Sequence, residues 1–485
     1  MIIKEIKKTI KTPTGNVIKL YGNFLLPIGL KNKFLCSLWL TKTNPMRNTN
    51  IQILNILREY IQKVKEEKLF LENKNHFTVE DSKLNFDRLI SLILNLPKKS
   101  LSLELVEFFN SIGKCELTCT KSAFTQQRSK LDYNFFASLA SKLVEVYYDQ
   151  NQKNLKRWNG FILCGVDGST ITLINKPDVL NYFGSQVNQY VDIPVARIMG
   201  VYDVLNNVSI ISNLFPIIIG EQTIVKHWVE AFQADHLFLY DRGFPGYTTM
   251  FVHQQQERTI HYVMRSKHTM NAHVKEFVNS KSKDAFLFFE ADYKQVQELN
   301  KLGYKIKIGT KLKVRAIKVK LKTGEIEILL TNLFDRKVYP IGIFKDLYFK
   351  RWGIETNYNA QKNYLQIECF SGTKVNSILQ DFYATIFIGN LQSILSNSCL
   401  EKIERKTRKR KFKYKMNRNM AIGLMKNKIP RLFLDRDPEK ILNEIIELQM
   451  KFFEPIRPNR TNLRKRKSLK VSGKYQTICN YKRVL

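Results

Sequence analysis

Four polar side chains that could take part in catalysis or binding lie in the stretch YFKRWGIETNYNAQK, residues 348–362: Tyr348, Arg351, Glu355 and Lys362. On an α-helix with about 100° per residue they fall within an arc of roughly 60° and form one polar stripe. An arginine can bind a phosphate through two donors, a lysine adds a point charge, and a tyrosine offers a hydroxyl or a stacking ring. Arg351 and Glu355 are also an i, i+4 pair of the kind that decorates solvated helix faces. The stripe alone leaves both interpretations open.

Two aspartates follow apolar segments that are typical of buried strands. Asp167 lies in FILCGVDGS and Asp241 lies in LFLYDRGF. Asp-Gly is a common turn pair, so Asp167 by itself is equally consistent with a simple turn. Aspartate is disfavoured in strands and is rarely buried without a partner, so a carboxylate after each of two buried strands requires a reason. With Glu355, these residues predict three carboxylates at the carboxyl ends of a sheet, where α/β folds bind ligands.

Three such carboxylates predict a metal site for phosphoryl transfer. Oxygen ligands suit Mg²⁺, for which Mn²⁺ can substitute. Two ions about 3.5–4 Å apart can activate a nucleophile and stabilise the leaving oxygen. We therefore expect Asp167, Asp241 and Glu355 to hold two ions. Glu368 lies 13 residues beyond Glu355 and is expected on roughly the opposite helix face, so it is a weaker candidate.

Composition indicates a polyanionic partner. The 485 residues include 79 lysines and arginines against 43 acidic residues, a formal net charge of +36, which favours nucleic acid. The start of the chain has no apolar signal core, and no apolar run approaches the ~20 residues of a transmembrane helix, so a soluble cytosolic protein without a membrane partner is expected. The seven cysteines are scattered, and the pair in CELTC has no second ligand pair for zinc, so reduced thiols are expected.

The patterns along the chain predict an α/β protein with a ribonuclease H-like catalytic core. Strand, hairpin, helix, strand, helix and strand follow one another between WNGFILC and VMRS, and FLFFEA, YKIKIG and KVRAIKVKLKTGEIEILL then alternate like further strands. The expected regions are a helical N-terminal DNA-binding domain (1–155), the first part of the core (156–266), a β-rich insertion (267–340), the second part of the core with the Glu355 helix (341–400), and a basic C-terminal region for DNA contact or dimerisation (401–485).

The C-terminal region concentrates the positive charge. From Glu401 onward, 26 lysines and arginines stand against 8 acidic residues. PEKILNEIIELQMKFF can form an amphipathic helix, whereas RKTRKRKFKYK and NLRKRKSLK are typical of basic surface or arms. Nearer the N-terminus, SAFTQQRSKL has two equally supported interpretations. It is a helix whose Gln126, Gln127 and Arg128 address base edges, or an ordinary amphipathic helix with Phe124 and Leu131 inward. The histidines are expected to be structural, and Glu221 is expected to complement a helix N-terminus.

These motifs resemble those of a known family. DRGF at Asp241, followed about a hundred residues later by Tyr-x2-Arg-x3-Glu-x6-Lys, resembles the insertion-sequence-four family of bacterial DDE transposases, and VDGST around Asp167 resembles its first acidic motif. TKSAFTQQRSKL, VMRS with Arg265, LQDFYA and FFEPIRPNR resemble the family more weakly. The resemblance spans the chain from about residue 115 to the C-terminus.

The resemblance implies cut-and-paste transposition in the bacterial cytosol, associated with the nucleoid, by a homodimer that pairs two transposon ends of double-stranded DNA and joins them to target DNA. It implies that Asp167, Asp241 and Glu355 bind the metals and that Tyr348, Arg351 and Lys362 hold terminal DNA phosphates; Arg265 and Arg242 are further DNA-contact candidates. Some members insert a tryptophan from the insertion domain into DNA, but residues 267–340 contain no tryptophan. Phe286, Phe288 or Phe289 could replace it. A catalytically idle DNA-binding derivative and a nuclease without strand transfer remain alternatives.

Overall fold

The structure is a computed structural model that describes residues 8–11, 17–20, 49–187, 192–255, 259–321, 324–457 and 485. The strands in these ranges are β1 (Lys8–Lys11), β2 (Val17–Leu20), β3 (Ile162–Thr172), β4 (Ser185–Val187), β5 (Asp192–Asp203), β6 (Val208–Pro216), β7 (His236–Tyr240), β8 (His261–Ser266), β9 (Asp284–Glu290), β10 (Lys311–Lys320), β11 (Ile326–Thr331), β12 (Tyr414–Met416) and β13 (Phe453–Pro455).

The α-helices in the same ranges are α1 (Thr49–Glu66), α2 (Phe86–Leu94), α3 (Leu101–Ser111), α4 (Lys121–Arg128), α5 (Asn134–Asn151), α6 (Pro177–Phe183), α7 (Glu221–Trp228), α8 (Tyr247–Gln254), α9 (Ala272–Asn279), α10 (Tyr293–Lys301), α11 (Phe344–Phe349), α12 (Trp352–Asn363), α13 (Val375–Ser398), α14 (Leu400–Thr407), α15 (Arg418–Met425), α16 (Ile429–Leu434) and α17 (Pro438–Gln449). Short 3₁₀ turns cover Cys115–Leu117, Val229–Ala231 and Ile341–Ile343.

A mixed sheet of nine strands is the centre of the described structure. Its order is β4, β5, β3, β7, β8, β11, β10, β9, and β6 also pairs with β5. β3, β5 and β6 form an antiparallel meander, whereas β7 and β8 run parallel to β3 and are connected through α7 and α8. This arrangement matches the predicted sequence of elements and is compatible with a ribonuclease H-like core. It also brings the carboxyl ends of β3, β7 and β8 to one edge of the sheet.

The strands expected in an insertion extend this same sheet. β11 pairs with β8, and β10 and β9 follow it, all antiparallel. The region also contains α9 and α10, which the alternating pattern did not indicate. The strand predicted for YKIKIG is wrong: residues 304–309 form an irregular connection. Gly303 and Gly309 at its ends have φ of 97° and 78°, conformations that turn the chain and that glycine adopts without a steric penalty.

The N-terminal helices share one hydrophobic core with elements from the other end of the chain. Buried apolar side chains of α1, α2, α3 and α5 contact those of α13, α16 and α17. α13 is buried nearly all round, with both apolar and polar side chains, because helices and the sheet cover it on several sides. The other face of the sheet packs against α7, α8, α9 and α10. Within the described ranges, no helix combines the length and apolar character needed to span a membrane.

Candidate active site

Asp167 and Asp241 lie side by side on neighbouring parallel strands. The last matched pair of β3 and β7 is Val166 with Tyr240, and the next residue on each strand is an aspartate. β3 continues to Thr172, so the turn interpretation of Asp167 is wrong. The chain instead uses the glycine after Asp167 for a close contact with another element. The two aspartates therefore lie next to each other at one edge of the sheet.

The Glu355 helix packs directly across β3. A Cβ atom on Gly165 would lie 3.4 Å from the Ile354 side chain, so α12 packs in direct contact with this position of β3. The Tyr358 hydroxyl donates a hydrogen bond to the Asp167 carbonyl oxygen at 2.7 Å. These contacts fix the first turn of α12, which carries Glu355, next to the strand that carries Asp167. The structure therefore brings the three predicted carboxylates into one neighbourhood.

Two of the three carboxylates are paired with arginines. Arg265 of β8 donates from Nε to Asp241 Oδ1 at 2.8 Å, and its Nη2 lies 2.6 Å from the same oxygen. The other Nη of Arg265 donates to Glu327 at 2.7 Å. Arg351 donates from Nη2 to Glu355 Oε1 at 2.8 Å. Arginine charges therefore lie next to two of the three acidic residues.

Asp167 differs because its carboxylate has no arginine partner among the described residues. Burial raises the pKa of Asp167 to about 7. The Gly168 N–H and the Arg351 charge act in the opposite direction, while the charges of Glu221 and Glu355 raise the pKa further. A carboxylate that binds a proton near neutral pH is one that would gain from a cation, so Asp167 is the least satisfied acid of the group.

Asp241 shows the opposite electrostatic balance. Burial alone would raise the pKa of Asp241, but the backbone N–H of Arg242 and the charges of Arg351 and Arg265 together lower it. The Tyr348 hydroxyl lies 3.4 Å from Asp241 Oδ1, and the Tyr348 residue is only 4% exposed. Tyr348 thus faces the carboxylates rather than solvent, as the stripe interpretation with a chemical role requires.

Arg351 is buried and only partly satisfied. Its side chain is 1% exposed, so a solvated helix face does not describe the stripe. Its Nε and Nη1 atoms have no hydrogen-bond partner among the described residues. The helix is interrupted at Lys350 and Arg351, between α11 and α12, although both residues keep right-handed helical angles. The guanidinium also lies over the Tyr348 and Trp352 rings, at 5.7 and 5.2 Å from their centroids, and its Nε and Nη1 keep the capacity to bind a further acceptor.

Lys362 and Arg242 lie at the margin of this group. Lys362 Nζ donates to the Thr170 carbonyl oxygen at 2.7 Å and lies 3.8 Å from Glu368. Glu368 is beyond the end of α12 and pairs with this lysine. Arg242 is exposed and lies 3.4 Å from Glu325 at the turn between β10 and β11. Both cations are accessible from solvent at the carboxylate edge.

A fourth acid beside the site was not identified from the sequence as part of it. Glu221 begins α7, as expected, but its carboxylate pairs with Arg197 of β5. A Cβ atom on Gly168 would overlap the Glu221 carboxylate, so the glycine leaves room for this side chain in its present orientation. The glycine after Asp167 was the available signal. It did not specify which element would approach.

The acids as arranged do not form a metal site. Among the described residues, no group of three or more His, Cys, Asp or Glu side chains could hold a metal ion together. The donor types suit Mg²⁺ or Mn²⁺, but Asp241 and Glu355 are directed to arginines. A cation shared with Asp167 would require these side chains to leave their present partners.

The DNA-reading interpretation of Arg128 is wrong. Arg128 is 1% exposed and pairs with Asp381 of α13 at 2.9 Å, while Phe124 and Leu131 are fully buried. The amphipathic interpretation of this segment therefore holds for its inner face. Gln126 remains exposed on α4.

The aromatic candidates of residues 267–340 have different environments. Phe289 is 3% exposed, Phe288 is 50% exposed, and the Phe286 ring lies beneath Lys313 and Arg336 at 4.3 and 4.5 Å. Only Phe288 of these three presents a free ring. Of the basic segments, residues 462–470 lie outside the described residues.

The chain resembles solved structures only weakly, and it matches no family model. No protein-family model matches the chain, and no curated protein gives a significant match. The solved structures that the chain resembles include a cryo-EM structure of a piggyBac transposase synaptic complex with hairpin DNA, at 12% identity and a TM-score of 0.40, covering 89% of this chain and 90% of that chain. The resemblance to the insertion-sequence-four family rests on the sequence motifs.

Proposed function

We propose that the protein is a DNA transposase that cleaves the ends of its own element and joins the 3′-OH ends to target DNA. The observation that carries this proposal is the buried Arg351, with two unpartnered nitrogens among the described residues, inside a group of three carboxylates at one sheet edge. Acids alone would indicate a cation site, and arginine alone would indicate an anion site. Their combination supports a reaction on a phosphodiester, where both charges are required.

The roles that we propose for the side chains come from the family resemblance, and the positions of the side chains support them. Arg351 and Lys362 bind the phosphates next to the reacting bond, and Tyr348 orients the strand end against Asp241. Arg265 and Arg242 extend the phosphate contacts along the edge. The cofactor that we propose is Mg²⁺, as two ions with Mn²⁺ as a substitute, held by Asp167, Asp241 and Glu355 after these acids leave their arginines.

The partners are the double-stranded ends of the element and the target DNA. The net charge of +36 supports a polyanionic partner, and the exposed basic residues 408–411 after α14 supply an accessible surface for it. We propose a homodimer that pairs the two ends, acting in the bacterial cytosol.

The test uses the purified chain, a plasmid that carries the two ends of its element, a target plasmid and Mg²⁺. A transposase yields both excised element and joined products. A nuclease without strand transfer yields breaks with no joined products, and a catalytically idle DNA-binding protein shifts the ends in a gel but cuts nothing. Asp167→Asn is the test variant, since it replaces one carboxylate oxygen by an amide nitrogen and should abolish the products. Equal product from this variant would overturn the proposal.

A further inference from the structure

Arginines pair with two of the three carboxylates that we propose as metal ligands. Asp241 is bonded to Arg265 through two nitrogens, at 2.8 and 2.6 Å, and Glu355 is bonded to Arg351 at 2.8 Å. Asp167 has no such partner among the described residues, so one acid of the three is available. The residues thus carry the donor types for a divalent cation, while two of the three carboxylates are bonded to arginines.

Guanidinium groups bind carboxylate and phosphate through the same geometry. The planar fork of arginine matches both anions, and its charge is retained at all relevant pH values. A DNA phosphate that reaches the site therefore competes directly with Asp241 and Glu355 for these arginines. The exchange replaces one ion pair by another, so it does not leave a guanidinium unpaired.

Arg351 has the capacity for this exchange. Two of its three nitrogens have no hydrogen-bond partner among the described residues, while the third holds Glu355. A phosphate oxygen that accepts hydrogen bonds from these donors removes the free-energy cost of burying them without a partner. Arg265 lies between Asp241 and Glu327, so it keeps one carboxylate partner when it releases the other.

We propose that DNA phosphates release Asp241 and Glu355 from Arg265 and Arg351, so that the site acquires its divalent cation only after DNA has bound. This inference rests on the proposed function. It makes the two arginines an autoinhibitory contact in the free protein and phosphate ligands in the complex. A free transposase with an assembled metal site would cut any DNA that it met, and this order of binding prevents that.

The experiment measures Mn²⁺ binding by electron paramagnetic resonance, with no cleavage required. Mn²⁺ is titrated into the free chain and into its complex with a short blunt-ended duplex of mixed sequence, at low salt. We expect Mn²⁺ to bind about 10- to 100-fold more tightly to the complex, the usual range of coupling between two sites. Because binding linkage is reciprocal, Mn²⁺ should tighten duplex binding by the same factor.

A variant without the first ion pair tests the cause. Arg265→Met should bring the Mn²⁺ affinity of the free chain close to that of the wild-type complex. This change leaves Glu327 buried without its partner, so Arg265→Met combined with Glu327→Gln is the second variant in case the first does not fold. Adding Asp241→Asn to either variant should abolish the gain.

The matched control removes an arginine whose aspartate partner lies at the opposite end of β7. Arg157 pairs with Asp235 at 2.8 Å, immediately before β7 begins, whereas Arg265 pairs with Asp241 immediately after β7 ends. Arg157→Met deletes the same charge and should leave Mn²⁺ affinity unchanged. An equal gain in this control would mean that net charge alone sets the affinity, which would overturn the inference.

The remaining outcomes separate the inference from the proposed function. Mn²⁺ that binds the free wild-type chain as tightly as the complex overturns the inference and leaves the transposase proposal standing. If Mn²⁺ binds neither the free chain nor the complex, and Asp241→Asn does not change its affinity, both the inference and the transposase proposal are overturned.

Discussion

Two buried arginines of this protein, Arg128 and Arg351, are alike in exposure and different in their hydrogen bonds. Each side chain is 1% exposed. Each forms an ion pair with a carboxylate, Arg128 with Asp381 at 2.9 Å and Arg351 with Glu355 at 2.8 Å. Arg128 joins the N-terminal helices to α13, and Arg351 lies at the carboxylate edge of the sheet.

The hydrogen bonds of Arg128 use all three nitrogens. The acceptors are the Gln380 side chain at 2.9 Å, Ser371 Oγ at 2.7 Å, the Ser377 carbonyl at 3.1 Å and Asp381. Arg351 donates only to Glu355 and leaves two nitrogens without partners among the described residues. A saturated buried arginine serves the fold, because removing it leaves its acceptors unpaired. An unsaturated one reserves donors for a ligand, which is the difference that the following experiments test.

The largest effect is expected for Glu355→Gln, which retains size and one oxygen but removes the negative charge. Cleavage and strand transfer should both fall by about 10³-fold or more, because one site performs both reactions. Duplex binding should persist, since phosphate contacts elsewhere supply most of the affinity. The measurement is the rate of end cleavage together with gel-shift affinity and circular dichroism.

Glu368→Gln is the matched control for this variant. Glu368 pairs with Lys362 at 3.8 Å and lies beyond the end of α12, away from the carboxylate group, so its replacement should leave cleavage largely intact. The opposite result, with Glu368→Gln inactive and Glu355→Gln active, would show that Glu368 and not Glu355 is the third acid.

The comparison itself is tested by substituting methionine for each arginine. Arg128→Met should lower the free energy of unfolding by about 3–5 kcal/mol, because it leaves Asp381 buried and uncompensated. Arg351→Met should lower it by less than about 1 kcal/mol, because Glu355 is partly exposed and water can solvate it. The same variant should lose cleavage. Urea unfolding of both variants is the measurement, and an equal loss of stability would remove the distinction between the two arginines.

The acids were predictable from the sequence because strand ends leave a local signature. An apolar run followed by aspartate predicts the end of a buried strand, which is correct for Asp241 after β7 but not for Asp167, since β3 continues to Thr172. The parallel pairing of β3 with β7 nevertheless places Asp167 beside Asp241. The Glu355 helix was indicated by its spacing of polar residues. These are properties of single elements, which neighbouring residues determine.

The environments of the two arginines could not be predicted because contacts between distant segments determine them. The sequence around Arg128 is compatible with base recognition, yet α13, some 250 residues later, surrounds this arginine. Arg351 is compatible with a solvated stripe, yet it is 1% exposed. A surface substitution usually changes stability by under about 0.5 kcal/mol, and that expectation does not transfer to a buried arginine. Glu221 was missed as part of the site because nothing local specifies that α7 approaches Gly168.

A smaller effect is expected from the unpaired acid of the site. The pKa of Asp167 is raised to about 7 by burial, above its value in the unfolded chain. The folded state therefore retains this proton between about pH 4 and pH 7, and the stability contributed by Asp167 is full below that window and lost as the pH rises through it. Asp167→Asn cannot ionise, so at about pH 8 its free energy of unfolding should exceed that of the wild type by on the order of 1–3 kcal/mol, seen as a higher unfolding temperature. At about pH 4 the two should unfold at similar temperatures.

The control for this comparison is Asp346→Asn, which removes an exposed carboxylate of α11 and reports any general effect of the lost charge. Both variants are melted in EDTA so that adventitious cations do not compensate the acid. A stability difference between Asp167→Asn and the wild type that is the same at both pH values would show that Asp167 is as well satisfied as an ordinary surface acid.

The smallest effect concerns the basic segment after α14. Removing residues 401–485 is not a clean test of DNA contact, because Ile422, Leu432 and Ile441 belong to the main hydrophobic core and their loss would disrupt the fold. Replacing Arg408, Lys409 and Lys411 by glutamine leaves that core intact.

If each of these exposed side chains neutralises one phosphate, the plot of log K against log salt should become shallower by about 0.9 for each phosphate that is no longer neutralised, with only a modest change in affinity at physiological salt. Glutamine at Lys294, Lys301 and Lys307, around α10, removes the same number of charges and separates a local effect from a change in net charge. A slope that is unchanged by the first set, or equally reduced by both, would exclude the segment from the DNA interface. It would leave the sheet edge around Arg351 as the region where phosphates are bound, and the difference between the two buried arginines would then carry the whole functional assignment.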